Sequence, residues 1–138
     1  MVRAATSADR DGLVDLEQTC FGSDAWSRAL VQTALADDVV LVTGDLTGYV
    51  IVRVVDGVAD LDRIAVHPDH RERGTGRVLL SAAIGWVRGR ADRMLLEVAE
   101  TNASAVALYS SAGFDVIHRR RGYYAGGTDA LVMELSLE

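Results

Sequence analysis

The sequence predicts an α/β domain in which a mixed, mostly antiparallel twisted sheet is flanked by helices. Three observations carry that expectation. Apolar, β-branched runs at 39–44, 48–55 and 58–66 are interrupted only by turn residues, Gly44-Asp45 and Asp56-Gly57, and Asp-Gly between apolar runs is a strong hairpin signal. A glycine-bearing loop and a helical pattern then separate the run at 58–66 from another at 93–98, which is the layout of a β-α-β crossover. Finally, residues 128–137 alternate cleanly, with Leu131, Met133, Leu135 and Leu137 on one face.

The elements follow in order. Residues 2–5 form a short first strand, after which Thr6 and Ser7 offer N-caps to a helix carrying Leu13, Leu16 and Cys20 at helical spacing. Residues 21–26 are a loop, and Ser27 caps a second helix to about residue 36, with Leu30, Ala34 and Leu35 as its apolar stripe. Asp37 and Asp38 end it. The three β-runs make an antiparallel meander that stops at Val66, His67 and Pro68, because proline cannot continue a ladder. The helix at 74–89 places Leu79, Leu80, Ala83, Ile84 and Val87 on a wide buried face. Asn102 caps a short helix containing Val106, Leu108 and Tyr109, and Gly113 is placed to end it in the left-handed region. Strands at 114–119 and 128–137 complete the order β-α-α-β-β-β-α-β-α-β-β. With no repeat and no Pro/Gly/Ser-rich linker, residues 1–138 are expected to form a single domain.

Composition excludes several classes of function. Fourteen Lys and Arg against 20 Asp and Glu leave a net charge of −6, whereas duplex binding needs clustered cations to neutralise phosphates. No nucleic-acid partner is expected. No apolar run reaches the roughly 18–20 residues of a membrane span, and the opening residues lack the apolar stretch of a secretory signal. A cytoplasmic location without membrane association is the expectation. A single cysteine, Cys20, cannot form an internal disulfide, and His67, His70 and His118 lack metal-ligand spacing, so no metal site is expected.

The chemistry concentrates in the second half. Arg71-Glu72-Arg73-Gly74-Thr75-Gly76-Arg77 joins a strand to a helix, where free N–H groups and the helix dipole suit a phosphate. It matches neither a Walker loop nor a dinucleotide fingerprint. The Arg-x-x-Gly-x-Gly loop after IAVHP, followed by a helix, LEV and NASAVALYSSAGF, resembles the GNAT superfamily of acetyl-CoA-dependent N-acetyltransferases. Within it, Trp26-Ser27, Glu97 and the segment RRGYYAGGTDALVMEL are similar to the RimI-type N-terminal protein acetyltransferases. One departure is the segment Gly22-Ser23-Asp24-Ala25 before Trp26, where relatives often carry a proline.

The resemblance implies a GNAT-like fold and a role for individual residues. Ile64, Ala65 and Val66 would line the pantetheine of acetyl-CoA, one N–H polarising the thioester carbonyl. Arg71, Glu72, Arg73, Gly74, Thr75, Gly76 and Arg77 would cradle the pyrophosphate, and Asn102 would hydrogen-bond the cofactor near its reactive end. Acyl transfer to an amine requires a base for the amine and an acid for the departing thiolate, and the family pattern puts them at Glu97 and Tyr109. Trp26, Tyr123 and Tyr124 would wall the acceptor slot. From spacing alone these residues have plainer readings: Glu97 as a solvent-facing strand residue, Tyr109 as packing, Tyr123-Tyr124 as hairpin surface and Trp26 as a hydrophobic staple. Arg119-Arg120-Arg121 reads as a solvated strand end. The implied activity is acetylation of a protein N terminus, an alanine-starting ribosomal protein above all. Transfer to a small amine and a non-catalytic acyl-CoA-binding module are the alternatives.

Overall fold

A computed structural model describes all 138 residues, Met1–Glu138. In chain order the elements are β1 (Val2–Ala4), α1 (Arg10–Phe21), α2 (Arg28–Asp37), β2 (Val39–Thr43), β3 (Gly48–Val55), β4 (Val58–Val66), α3 (Thr75–Val87), β5 (Arg93–Ala99), α4 (Ala103–Ser111), β6 (Asp115–Arg120) and β7 (Ala130–Ser136). Short 3-10 turns occupy Ser7–Asp9, Gly22–Asp24 and Pro68–His70. This is the order expected from the sequence. The seven strands run β1-β2-β3-β4-β5-β7-β6 across the sheet. β4 and β5 pair in parallel, while β1/β2, β2/β3, β5/β7 and β6/β7 are antiparallel. No helix is long and apolar enough to cross a membrane.

Two compact units make up the chain, Met1–Arg53 with Leu61–Trp86, and Val54–Asp60 with Val87–Glu138. In the first, Leu13 and Leu16 of α1, Val31 and Ala34 of α2, Val40 and Val42 of β2, Tyr49 and Ile51 of β3 and Ala65 of β4 form one buried cluster. The α2 stripe differs from expectation. Val31 and Ala34 are buried, Leu35 is only partly so, and Leu30 is 53% exposed: the inward stripe runs through Val31, Ala34 and Leu35 at i, i+3 and i+4, which leaves Leu30 at its edge. On α3, Leu79, Leu80, Ala83 and Ile84 are buried as the periodicity requires. Gly48 opens β3 against this helix: a Cβ there would lie 2.9 Å from the Leu79 side chain and 3.2 Å from the Ala65 carbonyl. A side chain there would require the Leu79 tip and the Ala65 carbonyl to give way, which glycine avoids.

In the second unit, β7 lies between β5 and β6, and Met94, Leu96 and Val98 stand opposite Leu135, Met133 and Leu131. All six are buried. The intervening residues Leu95, Glu97, Val132 and Glu134 occupy the other face, as the two-residue period of a strand demands. Asn102 caps α4 by accepting from the Ala105 N–H at 3.3 Å. Gly113, at φ +104, ends it. Asp56 and Gly57, at φ +51 and +79, form the turn between β3 and β4, the conformation that a two-residue hairpin of right-handed twist prefers.

Candidate active site

In the first unit, the loop after β4 turns sharply into α3. Arg71 is extended, at φ −72 and ψ 164, whereas Glu72 and Gly74 take left-handed φ values of +64 and +78. A Cβ at Gly74 would meet nothing within 4 Å, so the space beside the backbone is open. α3 starts directly afterwards at Thr75, which places Gly76 and Arg77 in its first turn, where N–H groups have no intrahelical partner and the dipole favours an anion. The loop is held from behind by Arg71, whose Nε donates to the Val66 carbonyl at 2.9 Å.

The end of β4 completes this half. The His67 N–H donates to the Thr47 carbonyl at 2.7 Å, so by strand alternation the backbone groups of Ile64 and Val66 point away from β3. Ala65 is buried, whereas Ile64 and Val66 are partly exposed. The Val66 carbonyl already accepts from Arg71 and, at 3.6 Å, from the Cys20 thiol. What Val66 still offers a ligand is therefore its side chain and N–H. Burial pushes the Cys20 thiol upward against the opposing effect of Arg71, and a protonated thiol is a poor nucleophile.

Trp26 follows the Gly22–Asp24 turn, and its position is fixed by residues that the sequence reading did not single out. Its N–H donates to Glu17 Oε1 at 2.7 Å. Glu17 is 1% exposed, and its carboxylate also receives the Arg63 Nε at 3.1 Å, the Arg63 NH2 at 2.9 Å and the Tyr49 hydroxyl. Burial pushes the Glu17 carboxyl up, but Arg63, Tyr49 and the Trp26 N–H more than offset it, and the net displacement is downward. Burial and the adjacent Glu17 hold the Tyr49 phenol far above its usual range. A signal was present in the sequence: Leu13, Leu16, Glu17 and Cys20 share one helical stripe at i, i+3, i+4 and i+7, so Glu17 sits where an apolar residue belongs.

In the second unit, Glu97 lies on the face of β5 opposite the buried Leu96 and Val98, with its side chain 37% exposed. Its Oε2 is 3.5 Å from the Arg120 Nε. The Arg120 guanidinium in turn lies 5.3 Å from the Tyr123 ring centroid, within cation–π range. Tyr123 and Tyr124 meet edge to face at 5.1 Å. The turn beyond them is closed by hydrogen bonds between Tyr124 and Thr128 and between Gly127 and Tyr124, with Gly126 and Gly127 both at positive φ. Burial, with Glu97 and Tyr123 nearby, raises the Tyr124 phenol. Tyr109, on α4, packs against Phe114 at 5.9 Å, and burial with a smaller effect of Tyr124 pushes its hydroxyl up to about 12. It therefore carries its proton at neutral pH. The Asn102 Oδ1 is committed to the α4 cap, which leaves the amide NH2 as the end able to reach a ligand.

In the second unit Glu97 is thus joined to Arg120, Arg120 to Tyr123 and Tyr123 to Tyr124, while Tyr109 packs against Phe114. The arginine run is exposed at the end of β6, as expected, and two of its members are engaged in surface ion pairs. Arg119 pairs with Glu100 and, at 3.3 Å, with Asp129, while Arg120 faces Glu97. Within the first unit, Trp26 and the cradle stand on separate supports, one on Glu17 and the other on Arg71.

Comparison with known proteins places the chain in a family. The family model described as "Acetyltransferase (GNAT) family" matches residues 8–114. A Salmonella typhimurium protein named "[Ribosomal protein bS18]-alanine N-acetyltransferase" is 39% identical over 125 residues, 88% of this chain and 80% of that protein. The Mycobacterium tuberculosis protein named "N-alpha-acetyltransferase RimI" is 34% identical over 144 residues, covering 96% of this chain and 89% of its own. Among solved structures, the ribosomal-protein-S18-alanine N-acetyltransferase from Escherichia coli superposes with a TM-score of 0.91 at 30% identity, over 100% of this chain and 94% of that one.

Proposed function

This chain belongs to the acetyltransferase (GNAT) family, and from that premise we propose that it moves the acetyl group of acetyl-CoA to the α-amino group of a protein N terminus, with an alanine-starting ribosomal protein as acceptor. The 138 residues act as one N-acetyltransferase domain in the cytoplasm. The observation that carries the reading is the half-exposed Glu97 carboxylate, linked through Arg120 to the Tyr123-Tyr124 pair, with the Tyr109 hydroxyl held protonated by burial. Base and acid are thereby supplied at separate atoms.

The residues fit the co-substrate. The open space at Gly74, the left-handed turns at Glu72 and Gly74 after the extended Arg71, and the first turn of α3 suit a pyrophosphate, with Arg73, Thr75, Gly76 and Arg77 completing the cradle. Ile64, Ala65 and Val66 would hold the pantetheine, and the Asn102 amide would bond near its reactive end. When bound, acetyl-CoA supplies an acetyl group already activated as a thioester. Glu97 Oε takes the proton that the acceptor amine gives up as its nitrogen bonds to the acetyl carbon. The Tyr109 hydroxyl holds the proton that the departing sulfur needs. Trp26, Tyr123 and Tyr124 orient the acceptor, and orientation of this kind is a large part of rate enhancement. The net charge of −6 favours encounter with a basic ribosomal protein.

The test is thiol release from acetyl-CoA in the presence of an alanine-starting ribosomal-type peptide, its N-terminally blocked twin and a panel of small amines. Turnover with the free peptide alone is expected. Turnover of small amines without the peptide would overturn the proposed acceptor, and binding of acetyl-CoA without any turnover would leave a non-catalytic module.

A further inference from the structure

The α1–α2 connection is held by a buried ion pair that the chemistry at Glu97 and Tyr109 does not use. Arg63 lies on β4 directly before Ile64, and one guanidinium makes all the ties. Its Nε and NH2 grip Glu17 at 3.1 and 2.9 Å, and the same NH2 donates to the Asp24 carbonyl at 3.0 Å. Its carbon lies 3.5 Å from the Phe21 ring centroid and 5.3 Å from that of Trp26. Glu17 meanwhile takes the Trp26 N–H. Phe21, Asp24 and Trp26, at the start, middle and end of this segment, are therefore all tied to one charge pair, and Gly22, at φ +56, supplies a turn conformation that other residues adopt poorly.

A buried ion pair is a poor way to gain stability, since well-packed apolar residues of the same volume often do as well or better. What it supplies is geometry, because a bidentate guanidinium–carboxylate pair fixes direction as well as distance. We propose that Glu17 and Arg63 are positioning residues for the acceptor, setting the Phe21–Trp26 segment against the end of β4. This rests on the reading that Trp26 lines the acceptor slot. The pair acts through Phe21 and Trp26, and neither charge touches the reacting atoms.

The experiment compares Arg63→Met, Arg63→Lys and Glu17→Gln, after thermal melts confirm a folded protein. In peptide acetylation, Arg63→Met is expected to raise the KM for the alanine-starting peptide about tenfold, with kcat and the KM for acetyl-CoA within about twofold. Arg63→Lys keeps the charge but not the fork, so an intermediate rise is expected. An unchanged peptide KM, or equal rises for both substrates, would overturn the proposal. A second readout is independent of activity: in a Trp86→Phe background, acrylamide quenching of Trp26 should increase in Arg63→Met and less in Arg63→Lys. Unchanged quenching would sink the positioning role. Should the wild type acetylate small amines and no peptide, the acceptor assignment fails, while the quenching result still decides whether the pair sets the segment.

Discussion

Replacing Glu17 by alanine should be among the most damaging single changes in the chain. The carboxylate is 1% exposed and accepts from Arg63 twice, from Tyr49 and from the Trp26 N–H. Its removal strands a guanidinium that is only 17% exposed, together with a buried phenol. Removing one partner of such a pair costs about 3–5 kcal/mol, a large share of the roughly 5–15 kcal/mol by which a domain is stable. The expected fall in Tm is roughly 10–20 °C for a chain of this size. Urea unfolding of Glu17→Ala, Arg63→Met and the double variant measures the coupling. The double variant should be more stable than the sum of the single losses implies, because it leaves no unpaired charge. The pH dependence has a definite sign. Since the folded carboxyl lies below the usual glutamate range, its contribution is fully present at neutral pH and is lost as pH falls through the folded value. The gap between wild type and Glu17→Ala should therefore shrink only below about pH 4. A Glu17→Ala loss of less than about 1 kcal/mol, or no coupling in the cycle, would refute the reasoning.

Three further outcomes are expected. Glu97→Gln should slow acetyl transfer by about a hundredfold or more in a thiol-release assay, yet shift Tm little, because its 3.5 Å contact with Arg120 is half-exposed and worth at most about 1 kcal/mol; unchanged turnover would remove Glu97 from its role. Tyr109→Phe should lower kcat without lowering acetyl-CoA affinity, and since the wild-type hydroxyl stays protonated to about 12, the wild-type rate should show no alkaline loss attributable to Tyr109 below about pH 10. Gly74→Val forces a side chain into φ +78 and into the open space of the cradle; calorimetry should show acetyl-CoA affinity reduced more than tenfold, and retained affinity would make the loop only a turn.

Much of the fold was legible because local chemistry and tertiary packing agree. The Asp56-Gly57 pair adopts the two positive φ values that its residues favour, and the alternation from Leu131 to Leu137 matches the buried face of β7 and the residue beyond it. The GNAT loop and the RimI-like tyrosine hairpin were legible as motifs, each a continuous stretch. What the sequence hid was pairing at a distance. Glu17 and Arg63 are 46 positions apart, and nothing local says that a glutamate on an apolar stripe has found an arginine rather than water. The Leu30 error has the opposite origin. Residue type suggested a buried leucine, but α2 turns Val31 and Ala34 to the core, and helical phase rather than residue type decides which residue faces inward.

The arginine run shows why even a correct strand assignment can leave a side chain's role unread. β6 pairs with β7 as Val116↔Met133 and then His118↔Val132, so one residue is bulged between them. Regular pairing would set Ile117 opposite Val132 and carry Arg119 onto the face that holds Glu97, because a slip of one residue exchanges the two faces of a strand. With the bulge, His118 stands opposite Val132, which itself stands opposite Glu97, and Arg120 two residues on shares that face. Arg119 is turned the other way, to Glu100 and Asp129. Three consecutive arginines put a cation on that face in either register, and the bulge decides that it is Arg120, within reach of both Glu97 and the Tyr123 ring, while Arg119 is left to Glu100 and Asp129. Which arginine serves the site is thus set by one extra residue in an edge strand, and bulges of this kind are a common device for re-aiming a side chain beside an active site.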